Sequence, residues 1–119
     1  MIPFSQRFHG HNSLRYVYKN GTVVRTRLAT LKVATNAHRK EPRFAIVVSK
    51  KVMKSAVRRN RIRRRIYEYI RINTPRLSQA YDIAIIVTSS EFLSMPAEEL
   101  SSQLEQLFVQ AELYKTAHN

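Results

Sequence analysis

Six arginines fall within the eight residues 58–65, RRNRIRRR, and these are the side chains best equipped to do chemistry. A guanidinium is a planar fork that grips phosphate through two hydrogen bonds and stacks on bases, whereas an ammonium is a hydrated point charge. Arg58–Arg71 holds seven arginines and no lysine, a choice that favours structured RNA or phosphate. Lys50–Arg76 carries 11 Lys or Arg against one acid, Glu68. Intrahelical pairing cannot neutralise such a surface, and like charges four apart on a helix (Arg59 and Arg63, Arg61 and Arg65) repel. A solvated face is the usual reason for a charge run, but six arginines in eight residues exceed what solubility requires. A partner must supply the negative charge.

Catalytic groups are missing by comparison. There is no cysteine nucleophile, and the serines have no placed histidine. Glu41, Glu68 and Asp82 lack the spacing for two-metal phosphoryl chemistry. His9-Gly10-His11 has no further ligands nearby, and His38 and His118 stand alone. The residues point to binding, not to self-sufficient cleavage.

The elements that must position the arginines follow from the pattern. Ser55 is placed to cap one helix running to Asn73, before Thr74-Pro75 ends its register. At about 100° per residue, Ile62, Ile66, Tyr69 and Ile70 share one stripe. Asn60, Arg64, Tyr67 and Arg71 take the opposite stripe, with Arg59 and Arg63 on one flank and Arg61 and Arg65 on the other. Asn12 or Ser13 can start an earlier helix ending near Gly21, carrying Leu14, Val17 and Tyr18 on one face. Thr22–Ala34 reads as two short strands broken near Thr26–Arg27, residues 36–42 as a hairpin loop, and Phe44–Val48 as a central strand. On that strand Phe44, Ile46 and Val48 form the large-residue face, while Ala45 and Val47 form a shallower one where something flat could lie. Tyr81–Val87 is apolar enough for a strand covered on both sides. Ser94 is the expected cap of a last helix with Pro96 in its first turn and a core stripe of Leu100, Leu104, Leu107, Phe108 and Ala111.

The sum is one α+β domain over residues 1–119: a two-layer sandwich of a small mixed sheet and three helices. The strand–basic helix–strand unit makes parallel neighbours, and general chirality favours a right-handed crossover. A formal charge of +13 and a pI near 10.8 point to a polyanion, nucleic acid before membrane. Residues 77–119 hold only Lys115 among the bases and six of the eight acids, so the polyanion faces the first two thirds. Absence of cysteine suits a reducing compartment, and no stretch reaches membrane-spanning length; a cytoplasmic protein is expected.

The run Ser49-Lys50-Lys51, then Ala56-Val57-x-Arg59-Asn60-Arg61-x-Arg63-Arg64, resembles the protein subunit of bacterial ribonuclease P, which carries an R-N-R motif followed by a basic pair on its central helix. The resemblance implies a fold similar to the second domain of ribosomal protein S5, with a left-handed crossover. It implies two partners, the catalytic RNA of ribonuclease P and precursor tRNA, and neither a membrane nor an obligate protein partner. The RNA subunit would cleave the 5′ leader with Mg²⁺ held mainly by RNA and substrate, none by the protein alone. Docking of that RNA falls to Lys50, Lys51, Lys54, Arg58, Arg59, Asn60, Arg61, Arg63 and Arg64. Contact with the leader falls to Leu14, Tyr18, Lys32, Val47 and Tyr67. Leu14 replaces a frequent aromatic, Tyr67 a frequent arginine, and Thr88-Ser89-Ser90 a frequent basic tail, so a less cationic leader groove is expected. The competing reading is a structural RNA-binding protein, ribosomal or chaperone, which accounts for charge and fold but not for the motif spacing.

Overall fold

The computed structural model describes Val17, residues 21–35 and residues 40–115. These form β1 (Thr22–Arg25), β2 (Ala29–Thr35), β3 (Arg43–Val48), α1 (Ala56–Asn73), β4 (Tyr81–Val87) and α2 (Ala97–Gln110), with 3-10 turns at Thr74–Arg76 and Ser90–Leu93. The sheet order is β1-β2-β4-β3, with β4 antiparallel to β2 and parallel to β3. The architecture is α+β: a small mixed sheet of four strands and two helices. The helix expected over 12–20 lies outside the described residues except for Val17, which is helical and buried.

Two expectations about the sheet need correction. Residues 36–42 do not close a hairpin, because β4 inserts between β2 and β3. β3 is therefore an edge strand, not the central one. The reason lies in burial: every residue of β4 except Ile86 is buried, whereas β3 alternates buried and half-buried. The strand with two apolar faces takes the middle.

One sheet face carries the main core. Leu31, Phe44, Ile46, Ile83 and Ile85 pack there with Ile62, Ile66 and Ile70 of α1 and Leu104, Leu107 and Phe108 of α2. The opposite face is shallow: Lys32, Ala84 and Ala45 lie in one row across the strands, and Thr30, Ile86 and Val47 in the next. Val17 packs there with Ala34 and Ala84. Gly21 permits this approach, since a Cβ would sit 2.6 Å from the Val17 carbonyl oxygen and 2.7 Å from that of Val33. Beside Ala34, Arg43 grips the buried Asp82 with two hydrogen bonds of 2.9 and 2.8 Å. Asp82 is thus an ion-pair partner of β3. Removing Arg43 would leave a charge buried without this compensation.

The helix ends decide where the basic face begins and stops. Ser55 Oγ accepts the Arg58 N–H at 3.2 Å, satisfying one of the open donors of the first turn. At the other end the Thr74 hydroxyl and the Asn73 amide donate to the carbonyls of Ile70 and Tyr69, and Pro75 follows. Ser94 does not cap α2. Pro96 occupies that position without a side-chain bond, while the Ser94 N–H closes the preceding 3-10 turn on Glu91 O. That turn was not anticipated; it exists because Phe92 must reach the core, where it is fully buried.

Candidate nucleic-acid interface

The arginines of α1 divide by what they touch. On one flank Arg59 donates to the carbonyls of Met53 and Lys54 at 3.0 and 2.8 Å, fastening the approach loop to the helix that follows it. Ser49 tightens the same loop by accepting the Val52 and Met53 N–H groups on its carbonyl, and Val52 and Met53 pack on the core. The loop is therefore fixed, with Lys50, Lys51 and Lys54 exposed on it. One turn on, Arg63 donates to Ile46 O on the β3 edge at 3.3 Å and to Asn60 Oδ1 at 2.7 Å. On the other flank Arg65 donates to Phe92 O at 2.6 Å and to Met95 O. Three arginines thus tie α1 to three backbone segments.

Arg58, Arg61 and Arg64 do the opposite. Their side chains are exposed and make no hydrogen bond or ion pair among the described residues, whose four ion pairs are Arg27–Glu91, Arg43–Asp82, Arg71–Glu68 and Arg76–Glu105. With the lysines of the loop they leave an uncompensated cationic surface over the first three turns of α1. Of the motif residues expected to dock the catalytic RNA, Arg59, Arg63 and Asn60 are thus partly committed to the fold.

The placement of Tyr67 on the polar stripe also needs correction. Tyr67 is only 7% exposed and belongs to the core cluster, so it has little surface to offer a leader. The buried arc of α1 runs from Tyr69 through Ile62 and Ile70 to Tyr67, wider than the apolar stripe the side chains suggested. Lys32 and Val47 are half-buried on the shallow face, in adjacent rows. Leu14 and Tyr18 lie outside the described residues, as do the histidines. Among the described residues no group of three or more His, Asp or Glu side chains is gathered for a metal, and no helix is long and apolar enough to cross a membrane.

Two clusters escaped sequence reasoning. Arg27, between β1 and β2, pairs with Glu91 at 2.5 Å, which holds the Glu91 carboxyl below its usual range, helped by Ser89. The serine-rich stretch after β4 therefore brings an acid that neutralises a nearby base. At the far end of α1, Arg76 forks onto Glu105 at 2.8 Å twice and lies 4.0 Å over the Tyr114 ring. Tyr69 donates to Glu105 at 2.7 Å, and its hydroxyl is 2.6 Å from that of Tyr114. The Arg76 guanidinium lowers the Glu105 carboxyl pKa, while burial raises those of both tyrosines and keeps them protonated. Tyr69 and Arg76 were visible in the sequence, but their partners Glu105 and Tyr114 lie 29 to 45 residues away.

Comparison with known proteins converges on one family. The ribonuclease P family model matches residues 2–112. The ribonuclease P protein component of Prochlorococcus marinus is 30% identical over 96% of this chain and 98% of its own length. That of Synechocystis is 30% identical over 99% of this chain and 94% of its own. Among solved structures, the Staphylococcus aureus RNase P protein is similar with a TM-score of 0.82 and 26% identity, covering 92% of this chain and 98% of that one.

Proposed function

The chain belongs to the ribonuclease P protein family and is a component of an endoribonuclease holoenzyme that processes tRNA, and from that premise we propose how its surface is divided between two RNAs. Arg58, Arg61 and Arg64, with Lys50, Lys51 and Lys54, take the phosphates of the catalytic RNA. Arg59, Asn60 and Arg63 support that contact, chiefly by holding helix, loop and edge strand in place. The observation that carries this reading is the exposure of Arg58, Arg61 and Arg64 without an acidic partner among the described residues. The precursor-tRNA leader takes the shallow sheet face near Lys32 and Val47. Val17, next to Tyr18 in sequence, is buried on that same face, which favours Tyr18 as a stacking partner for a base.

On this reading the protein contributes differential binding. It grips leader and catalytic RNA together and relieves phosphate crowding. The Mg²⁺ that activates the attacking water is held by RNA and substrate. A third, N-terminal helix, a left-handed β3–α1–β4 crossover like that of the second domain of ribosomal protein S5, and a cytoplasmic location complete the proposal.

Measuring assembly and precursor binding separately tests the division. Arg61→Ala weakens assembly with the catalytic RNA by about 1–3 kcal/mol, the scale of a charge-assisted hydrogen bond. Tyr18→Ala leaves assembly intact and removes roughly 1–3 kcal/mol from the preference for precursor over mature tRNA. The converse pattern would mean that the two surfaces are assigned backwards.

A further inference from the structure

A cavity of about 570 Å³ opens between the first turns of α1 and the chain that follows the second 3-10 turn, walled by Arg58, Arg61, Arg65, Leu93 and Ser94. Its size is that of a small-ligand site, room for a phosphodiester with flanking sugar. Three guanidinium groups border it and no acid does. Arg65 is already planted by the carbonyls of Phe92 and Met95, so its charge is held at the cavity wall with little conformational freedom left to lose. Arg58 and Arg61 carry no partner among the described residues. The first turn of α1 contains no acid, although a helix N-terminus favours negative charge. Two cations there, Arg58 and Arg59, are electrostatically misplaced until an anion joins them. The larger cleft between α1 and α2 differs in kind: Glu68, Glu98 and Glu105 stand on its walls beside Arg64 and Arg65, so its charge is mixed.

We propose that this cavity seats one backbone phosphodiester of the catalytic RNA, so that the RNA surface extends past the R-N-R motif to Arg65, Leu93 and Ser94. The inference rests on the assignment of α1 to that RNA and adds a specific seat to it. Leu93 supplies a half-buried apolar floor for the sugar, and the exposed Ser94 hydroxyl a donor at the rim. Because Arg65 is fixed through the Ser90–Leu93 turn, that turn positions the seat as well as lining it.

The test uses the full-length protein with a bacterial ribonuclease P RNA. Ser94→Glu puts a carboxylate where the phosphate would sit, and its backbone N–H bond to Glu91 survives the substitution. Assembly should weaken by tenfold or more, and the slope of log affinity against log salt should fall by about 0.7–0.9, one phosphate contact. Gln106→Glu, on an exposed face of α2 outside the cavity, should stay within about twofold of wild type; this limit is set against the tenfold scale of a charged hydrogen bond. Circular dichroism checks folding throughout. If Ser94→Glu binds like wild type, or Gln106→Glu is equally impaired, the seat is not there. Arg64→Ala, outside the cavity, separates the two levels. Lost assembly in Arg64→Ala with an unaffected Ser94→Glu overturns the seat alone, and no effect in either overturns the RNA assignment of α1 too. A Ser94→Glu defect confined to precursor-over-mature discrimination also overturns it.

Discussion

At the scale of single residues, the arginines of one helix divide into those that hold the protein together and those that remain for a ligand. Arg65→Ala leaves two backbone carbonyls without their donor and should cost about 1–2 kcal/mol in denaturant unfolding. Arg61→Ala breaks no hydrogen bond or ion pair among the described residues and should leave stability within about 0.5 kcal/mol of wild type. Any effect of Arg61→Ala on RNA binding is then a ligand effect, which cannot be said of Arg65. Glu105 gives a pH dependence of known sign. Arg76 holds its carboxyl below the usual range, so its contribution is fully present above the unfolded glutamate pKa near about 4.3 and is lost as pH falls through the lower folded value. Glu105→Gln should therefore cost about 0.5–1 kcal/mol at neutral pH, as half-exposed ion pairs do. The deficit should shrink toward zero in acid, measured by unfolding at a series of pH values. A deficit that persists unchanged at about pH 3 would show that the hydrogen bond from Tyr69, not charge, is what the side chain contributes.

At the scale of elements, two backbone positions test whether the chain's turns are held as described. Gly21→Ala drives a methyl group to 2.6 Å from the Val17 carbonyl oxygen, with the Val33 backbone on the other side; neither can yield cheaply. A loss of about 2 kcal/mol or more is expected, within the range for overpacking. Glu112 has φ 57°, the left-handed conformation that closes α2 and lets Leu113 N–H reach Phe108 O. Glu112→Gly should stabilise by about 0.5–1 kcal/mol, because glycine takes this conformation at no steric cost.

The elements also show what periodicity could and could not reveal. The β1–β2 break near Thr26, the Ser55 cap, the end of α1 at Asn73 and the span Tyr81–Val87 were legible, since each depends on local residue type. The insertion of β4 between β2 and β3 was not. A polar segment between two apolar strands reads as a hairpin whether or not the strands pair, and only the two-sided burial of β4 decides the order. At the site, the motif residues were legible but their division was not. Arg59 and Arg63 differ from Arg61 and Arg64 through carbonyls of the loop and β3, and Arg65 through a turn 27 residues away. Burial of Tyr67 was missed because its angle on the helix groups it with Asn60, Arg64 and Arg71, and tertiary packing covers it all the same.

At the scale of the molecule, the charge is segregated. The approach loop and the first three turns of α1 present bases and no acid, while the acids of the last third are spent on Arg27, Arg43 and Arg76 or lie on and just after α2. Electrostatic attraction to RNA should accordingly be strong and steep in salt, at about −0.7 per phosphate contact on single strands and −0.9 on duplex. With Arg58, Arg61, Arg64 and the loop lysines engaged, a slope of several units is expected from filter binding across a salt series; a slope near zero would leave the cationic surface without a partner. On this reading the cationic surface acts by binding RNA in the holoenzyme. The most direct measurement is precursor-tRNA cleavage at low Mg²⁺, with a bacterial ribonuclease P RNA alone, the protein alone, both together, and both with Arg61→Ala in place of wild type. Stimulated 5′-leader removal only when both are present, reduced by Arg61→Ala and restored at higher protein concentration, is the predicted result. Cleavage by the nuclease-free protein alone, or no stimulation by a folded wild-type protein, would contradict it.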